Sequence, residues 1–145
     1  MNRRHFLAAA GTVTAVAAAS RSVAAEADHA HHHHGASPNT MLIMSSAHCI
    51  MTGEACLQHC LDSFIGGDTT LAVCAKKVTD LITICRSLQG LAIANSPYLI
   101  AQSKIALAVC IDCEKECRKH EKHATCKACA DACLECAAEC RKLAA

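Results

Sequence analysis

TCKACADACLECAAECRKL, residues Thr125–Leu143, is the stretch that decides the fold. Its cysteines, Cys126, Cys129, Cys133, Cys136 and Cys140, step by 3, 4, 3 and 4. That is the heptad spacing of a helix seam, with cysteine where leucine normally sits. At roughly 100° per residue these thiols fall within an arc of about 80°. A helix paved with sulfur on one face predicts other segments with matching faces.

Working back along the chain, Cys110, Cys113 and Cys117 share a face about 60° wide. The nine residues from Cys117 to Cys126 advance the chain by about 900°, which would throw the next seam to the opposite side. A break is therefore expected in Lys119-His120-Glu121-Lys122-His123, with a fourth helix beyond it. The third helix begins at Asn95-Ser96-Pro97, with Ser96 as N-cap and Pro97 at the first helical position, and runs to about Lys119. A second helix is expected from Asp68 or Thr69 towards Ala94, with Leu71, Cys74, Val78, Leu81, Cys85 and Leu88 as its apolar stripe. The first should run from Asn39 or Thr40 to Ile65. Ser37-Pro38-Asn39-Thr40 offers capping groups, and Gly66-Gly67 stops it. Cys49, Cys56 and Cys60 lie within about 40° on its wheel. No segment reads as a strand. Short connections between four helices predict an all-α, antiparallel four-helix bundle with a cysteine-lined core, over residues 39–145.

The 145 residues suffice for one domain. A net charge of +1 with 19% charged residues gives no electrostatic footprint for nucleic acid. Aromatics are 2% and Trp is absent, so Leu, Ile, Val, Ala and Cys must fill the core. Asn2-Arg3-Arg4-His5-Phe6-Leu7 resembles the twin-arginine export motif. The weakly apolar run that follows, Leu7 to Ala19, is 13 residues long, too short to span a bilayer. Small-residue cleavage candidates lie at Val23-Ala24-Ala25 and Ala25-Glu26-Ala27. Residues 1–27 thus read as a signal peptide, with export to the periplasm or another extracytoplasmic compartment and no membrane span after its removal. Residues 28–38 form a polar tail. It carries His29 and His31 to His34, a solvated segment that could also catch a metal ion.

The chain has 13 cysteines, all between Cys49 and Cys140. Cysteine packs as a small hydrophobe, but packing alone does not explain thiols on the inner face of every helix. Disulfides suit an exported protein. Yet 13 is odd, and bridges between neighbours on one helix would close very short loops. Thiolates suit Cu(I), Zn(II) and iron–sulfur clusters. Zinc favours closed sites of four ligands, and here nothing divides the row into fours. The bacterial iron–sulfur run and its trailing proline are missing. Charge separates the rest. Zn(II) with four thiolates leaves a buried anion of −2, whereas Cu(I) and thiolate at one to one are neutral. Bridging sulfurs would let a low-dielectric core hold about one Cu(I) per Cys.

The C-x3-C pairs Cys56/Cys60, Cys113/Cys117, Cys129/Cys133 and Cys136/Cys140, with single cysteines on inward faces, resemble the copper storage proteins. The likeness covers about Thr40 to Leu143. It implies a bundle whose lumen binds many Cu(I) ions through all of Cys49, Cys56, Cys60, Cys74, Cys85, Cys110, Cys113, Cys117, Cys126, Cys129, Cys133, Cys136 and Cys140. It further implies a homo-oligomer, a tetramer, that holds cuprous ion and releases it to copper-requiring enzymes. Exported members carry a twin-arginine signal.

Met41, Met44, His48 and Met51 step by 3, 4 and 3 and span about 80° of the first helix. Thioether and imidazole are copper ligands. The stripe is therefore a candidate mouth that passes Cu(I) inward, although Met also serves as packing. His59 points about 100° from Cys60 and reads as a surface or helix-contact residue. His120 and His123 read as part of a solvated turn. No set of nucleophile, base and orienting group appears, nor a phosphate loop, so an enzyme is not expected. The competing readings are a thiol–disulfide redox protein, which lacks the strand that normally precedes its motif, and a structural zinc or disulfide bundle. Uptake separates them: about 13 cuprous ions for storage, one or two reactive pairs for redox, and at most about three ions for zinc.

Overall fold

A computed structural model describes residues 37–144 as four helices: α1 Thr40–Ile65, α2 Ala72–Ile93, α3 Leu99–Arg118 and α4 Ala124–Ala144. The expected signal peptide and the histidine run of the tail lie outside the described residues. The packed pairs are α1 with α2, α2 with α3, α3 with α4, and α4 back on α1. This is the antiparallel four-helix bundle that the seams predict, and no described residue is in a strand. None of these helices is long and apolar enough to cross a membrane.

The connections explain the helix ends. Gly67 takes φ +85° after α1, with hydrogen bonds from Gly67 N–H to Phe64 C=O and from Asp68 N–H to Ser63 C=O. Asn95, at φ 48°, does the same after α2, where Asn95 N–H reaches Ala92 C=O and Ser96 N–H reaches Leu91 C=O. Both are Schellman ends, each with a left-handed residue that glycine or asparagine tolerates best. The starts differ from the sequence reading. α2 begins at Ala72, not Asp68 or Thr69, because Asp68 Oδ1 accepts the Thr70 N–H at 2.9 Å and holds a turn there. α3 begins at Leu99, because Ser96 Oγ accepts the Tyr98 N–H at 3.3 Å and keeps Pro97-Tyr98 in a turn. Asn39 sits at the start of α1 but caps nothing with its side chain. Its Nδ2 donates instead to Ala92 C=O at 3.3 Å and Asn95 Oδ1 at 2.9 Å, tying the start of α1 to the end of α2.

The inward positions repeat every three or four residues. On α1 they are Leu42, Ser46, Cys49, Gly53, Cys56 and Cys60. On α3 they are Leu99, Ser103, Ala106, Cys110, Cys113 and Cys117. Among the described residues neither aromatic reaches the core: Tyr98 is exposed and Phe64 only packs on its edge. Where α1 starts and α2 ends, the lumen is filled by Leu42, Leu88, Ala92 and Leu99. There Ser46 and Ser103 satisfy their buried hydroxyls on Ile43 C=O and Leu99 C=O. Beyond that plug the filling turns to sulfur. Each helix pair also carries a polar contact on its outer edge: the ion pairs Glu54–Arg86, Lys77–Asp112 and Asp131–Arg118, and the hydrogen bond between His48 and Glu135. Exposed pairs of this kind add little stability, but they suit one register.

Candidate metal centre

All 13 cysteines have 0% exposure and all are free thiols. Every helix contributes. The heptad seam of α4 places Cys126, Cys129, Cys133, Cys136 and Cys140 inward, facing Cys49, Cys56 and Cys60 of α1 and Cys110, Cys113 and Cys117 of α3. α2 supplies only Cys74 and Cys85, with Leu81, Leu88 and Val78 filling the positions between and beside them.

The sulfurs meet across helices. Cys74 Sγ lies 3.6 Å from Cys117 Sγ, and Cys56 Sγ lies 3.7 Å from Cys126 Sγ and 3.9 Å from Cys74 Sγ. Within α3, Cys113 and Cys117 stand 3.9 Å apart. Two sulfurs on one trigonal ion, with metal–sulfur bonds of roughly 2.3 Å, would be about 4 Å apart. Three groups are tight enough to share an ion, with all sulfurs of a group within 4.8 Å of one another: Cys49/Cys85/Cys110/Cys136, Cys56/Cys74/Cys117 and Cys113/Cys129/Cys133. Cys60, Cys126 and Cys140 stand outside these groups, and Cys126 touches the second through Cys56. Cys49 also donates its S–H to Ala132 C=O of α4 at 3.1 Å.

Each group contains one thiol that its neighbours favour as the anion. Cys117 and then Cys56 donate to Cys74 and hold it down to about 3. Cys113, Cys117 and Cys133 do the same for Cys129, and Cys110 with Cys140 for Cys136, both well below the ordinary range. Two of these donors shift the other way. Cys117 is raised, chiefly through Cys113, and Cys110 is raised, chiefly through Cys136. Towards the end where α4 begins, burial pushes Cys60 up to about 12 and Cys126 up to about 11. The Thr125 hydroxyl is buried there without a hydrogen-bond partner. The column is thus a stack in which a thiolate is solvated by thiols instead of water. A soft cation that replaces those protons finds its ligands already in place.

The remaining sequence candidates fall elsewhere. Met41, Met44 and Met51 are 60%, 60% and 62% exposed. The inward face of the same turns is Leu42, Ser46 and Cys49, so the stripe looks out of the bundle. Met41, Met44 and His48 line a groove against Glu135 and Glu139 of α4, and Met51 is not among its residues. His59 is a helix contact, as its wheel position suggests. Its Nε2 lies 3.0 Å from His123 Nδ1, and the ring centroids are 4.7 Å apart. This pairing of α1 with the turn before α4 was not legible, since a solvated turn gives no signal of its partner. His120 lies 3.5 Å from the buried Glu116 carboxylate, which also holds Lys119.

A family model described as copper storage protein matches residues 35–145. Two solved structures share the fold over 74% of this chain. One is a Cu(I)-bound copper storage protein, BsCsp3, 27% identical, with a TM-score of 0.67 and 98% of its own chain covered. The other is an apo copper storage protein 3 from Bacillus subtilis, 28% identical, with a TM-score of 0.66 and 99% covered. No curated protein matches the sequence. The chain belongs to the copper storage protein family.

Proposed function

We propose that this member of the copper storage protein family holds about one Cu(I) per Cys, bridged by thiolates inside the bundle, and supplies it to copper-requiring enzymes. The observation that carries the reading is the unbroken set of 13 buried, free thiols, with sulfurs of different helices 3.6–3.9 Å apart. Cu(I) and thiolate at one to one add no net charge to the column. A divalent ion on four thiolates adds −2 at each site, which burial penalises.

We further propose that the protein works outside the cytoplasm, a reading the twin-arginine-like start supports, and that it assembles as a homotetramer, as the resemblance to the family implies. Both belong to this proposal.

One observation favours a second reading. Cys49, Cys85, Cys110 and Cys136 form a four-thiol set that would also suit a structural zinc ion. Native mass spectrometry of the protein recovered from copper-grown cells tests the two together. Storage predicts a tetramer carrying close to 13 copper ions per chain, with the residues before the tail removed. A zinc bundle predicts one to three zinc ions per chain and no copper.

A further inference from the structure

The groove between α1 and α4 has chemistry of its own. It holds about 500 Å³ and is lined by Met41, Met44, Ser45, His48, Glu135 and Glu139. The spacing of Met41, Met44 and His48 puts two thioethers and an imidazole on one face of α1. His48 Nδ1 lies 3.0 Å from Glu135 Oε2. An ionised carboxylate can only accept, so Nδ1 carries the proton and Nε2 is left with its lone pair. A carboxylate behind a histidine is the usual device for fixing a metal-binding tautomer and raising the basicity of the ligand nitrogen.

We infer that this groove is a second copper site, outside the thiol column, where Met41, Met44 and His48 bind one Cu(I) and Glu135 acts as a positioning residue for His48. Two thioethers select the cuprous ion over zinc or calcium, since soft ligands prefer soft ions. Thioethers are neutral and weaker donors than thiolates, so the site fills after the column and empties before it. The groove lies on the outer surface, with Leu42 and Ser46 facing inward from the same turns. It therefore presents its ion to a partner in solution. The inference does not depend on the column holding copper, because the groove's ligands are its own.

The test uses the full chain, labelled at methionine methyls and histidine nitrogens and titrated anaerobically with Cu(I) beyond the column's endpoint. The chain has only 4 methionines, so each methyl is separately readable. One further equivalent should move the Met41 and Met44 methyls and the His48 ring while leaving Met51 in place. Free His48 should show the Nδ1–H tautomer. Glu135→Ala should shift that proton to Nε2 and weaken the extra site by about tenfold. Glu135→Gln keeps an acceptor and should lose less. Met41→Leu with Met44→Leu should abolish the extra site and leave the column's capacity unchanged. Methyls that never move, a Met51 methyl that moves with the others, or a Glu135→Ala variant with unchanged tautomer and affinity would overturn the inference. A column that fails to load appears in the main endpoint, separately from these signals.

Discussion

Cys74 on α2 and Cys117 on α3, 43 residues apart in sequence, bring their sulfurs to 3.6 Å. Cys56 of α1 stands 3.9 Å from Cys74, so three helices converge on one thiol. Converting Cys74 and Cys117 together to Ala removes this node without removing much apolar volume. The helical apoprotein should survive, with a loss of about 1–2 kcal/mol for the two small cavities. Copper capacity should fall by about two ions. Circular dichroism and a Cu(I) titration of the same sample check both parts.

Proton release should track loading. Cys74, Cys129 and Cys136 are favoured as thiolates, one in each tight group, so the first three equivalents or so should release few protons. Later equivalents must displace protons from raised thiols such as Cys60 and Cys126, and release should approach one per ion. Apparent affinity in that later phase should drop about tenfold per pH unit of acidification for each proton displaced. Titration in weakly buffered solution with a pH indicator reads the two phases.

The same raised thiols fix the alkaline behaviour of the apoprotein. Cys60 goes from 9.0 to about 12 on folding, and Cys126 from 9.0 to about 11. The unfolded chain therefore ionises first. The stabilisation is complete below pH 9 and fades as pH climbs through 11 to 12. Thermal melts should show the apoprotein losing stability over that window and the copper-loaded protein losing far less, because its thiolates are already deprotonated.

Two glycines inside helices should respond in opposite ways. A Cβ on Gly53 would stand 3.0 Å from Ile82 Cγ1 and 3.6 Å from Val78 Cγ1, at the close crossing of α1 and α2. Gly53→Leu should overpack that crossing and cost about 1–3 kcal/mol. A Cβ on Gly90 meets nothing within 4 Å. Gly90→Ala should stabilise by up to about 1 kcal/mol through helix propensity alone. Urea denaturation of both variants measures the difference.

The His59–His123 pair ties α1 to the turn before α4 through one hydrogen bond at 3.0 Å. His123→Ala should cost no more than about 1 kcal/mol. It should leave copper capacity unchanged, because the column is built from thiols. A capacity reduced by one ion would place the pair among the ligands instead.

The seams were readable because a helix repeats its inward face every three or four residues, and cysteine marked that face as clearly as leucine would. Cys126 to Cys140 fixed α4, and the phase gap from Cys117 to Cys126 located the turn at Lys119–His123. Helix starts were harder. Asp68 and Ser96 stand where helix starts are expected in sequence, yet both spend their side chains on turn N–H groups before the helix begins. The direction of the Met41–Met44–His48 stripe was also hidden. Its wheel position put it beside the cysteine face, but only Glu135, 87 residues beyond His48, reveals which neighbour it meets. Contacts of that range, like His59 with His123, leave no periodic trace in one strand of sequence.

The most direct test of the central claim is an anaerobic Cu(I) titration of the fully reduced protein in competition with a cuprous chelator. The account predicts a tight endpoint near 13 Cu(I) per chain, one for each thiol. An endpoint at one to three ions, with most thiols still free to react, would contradict it.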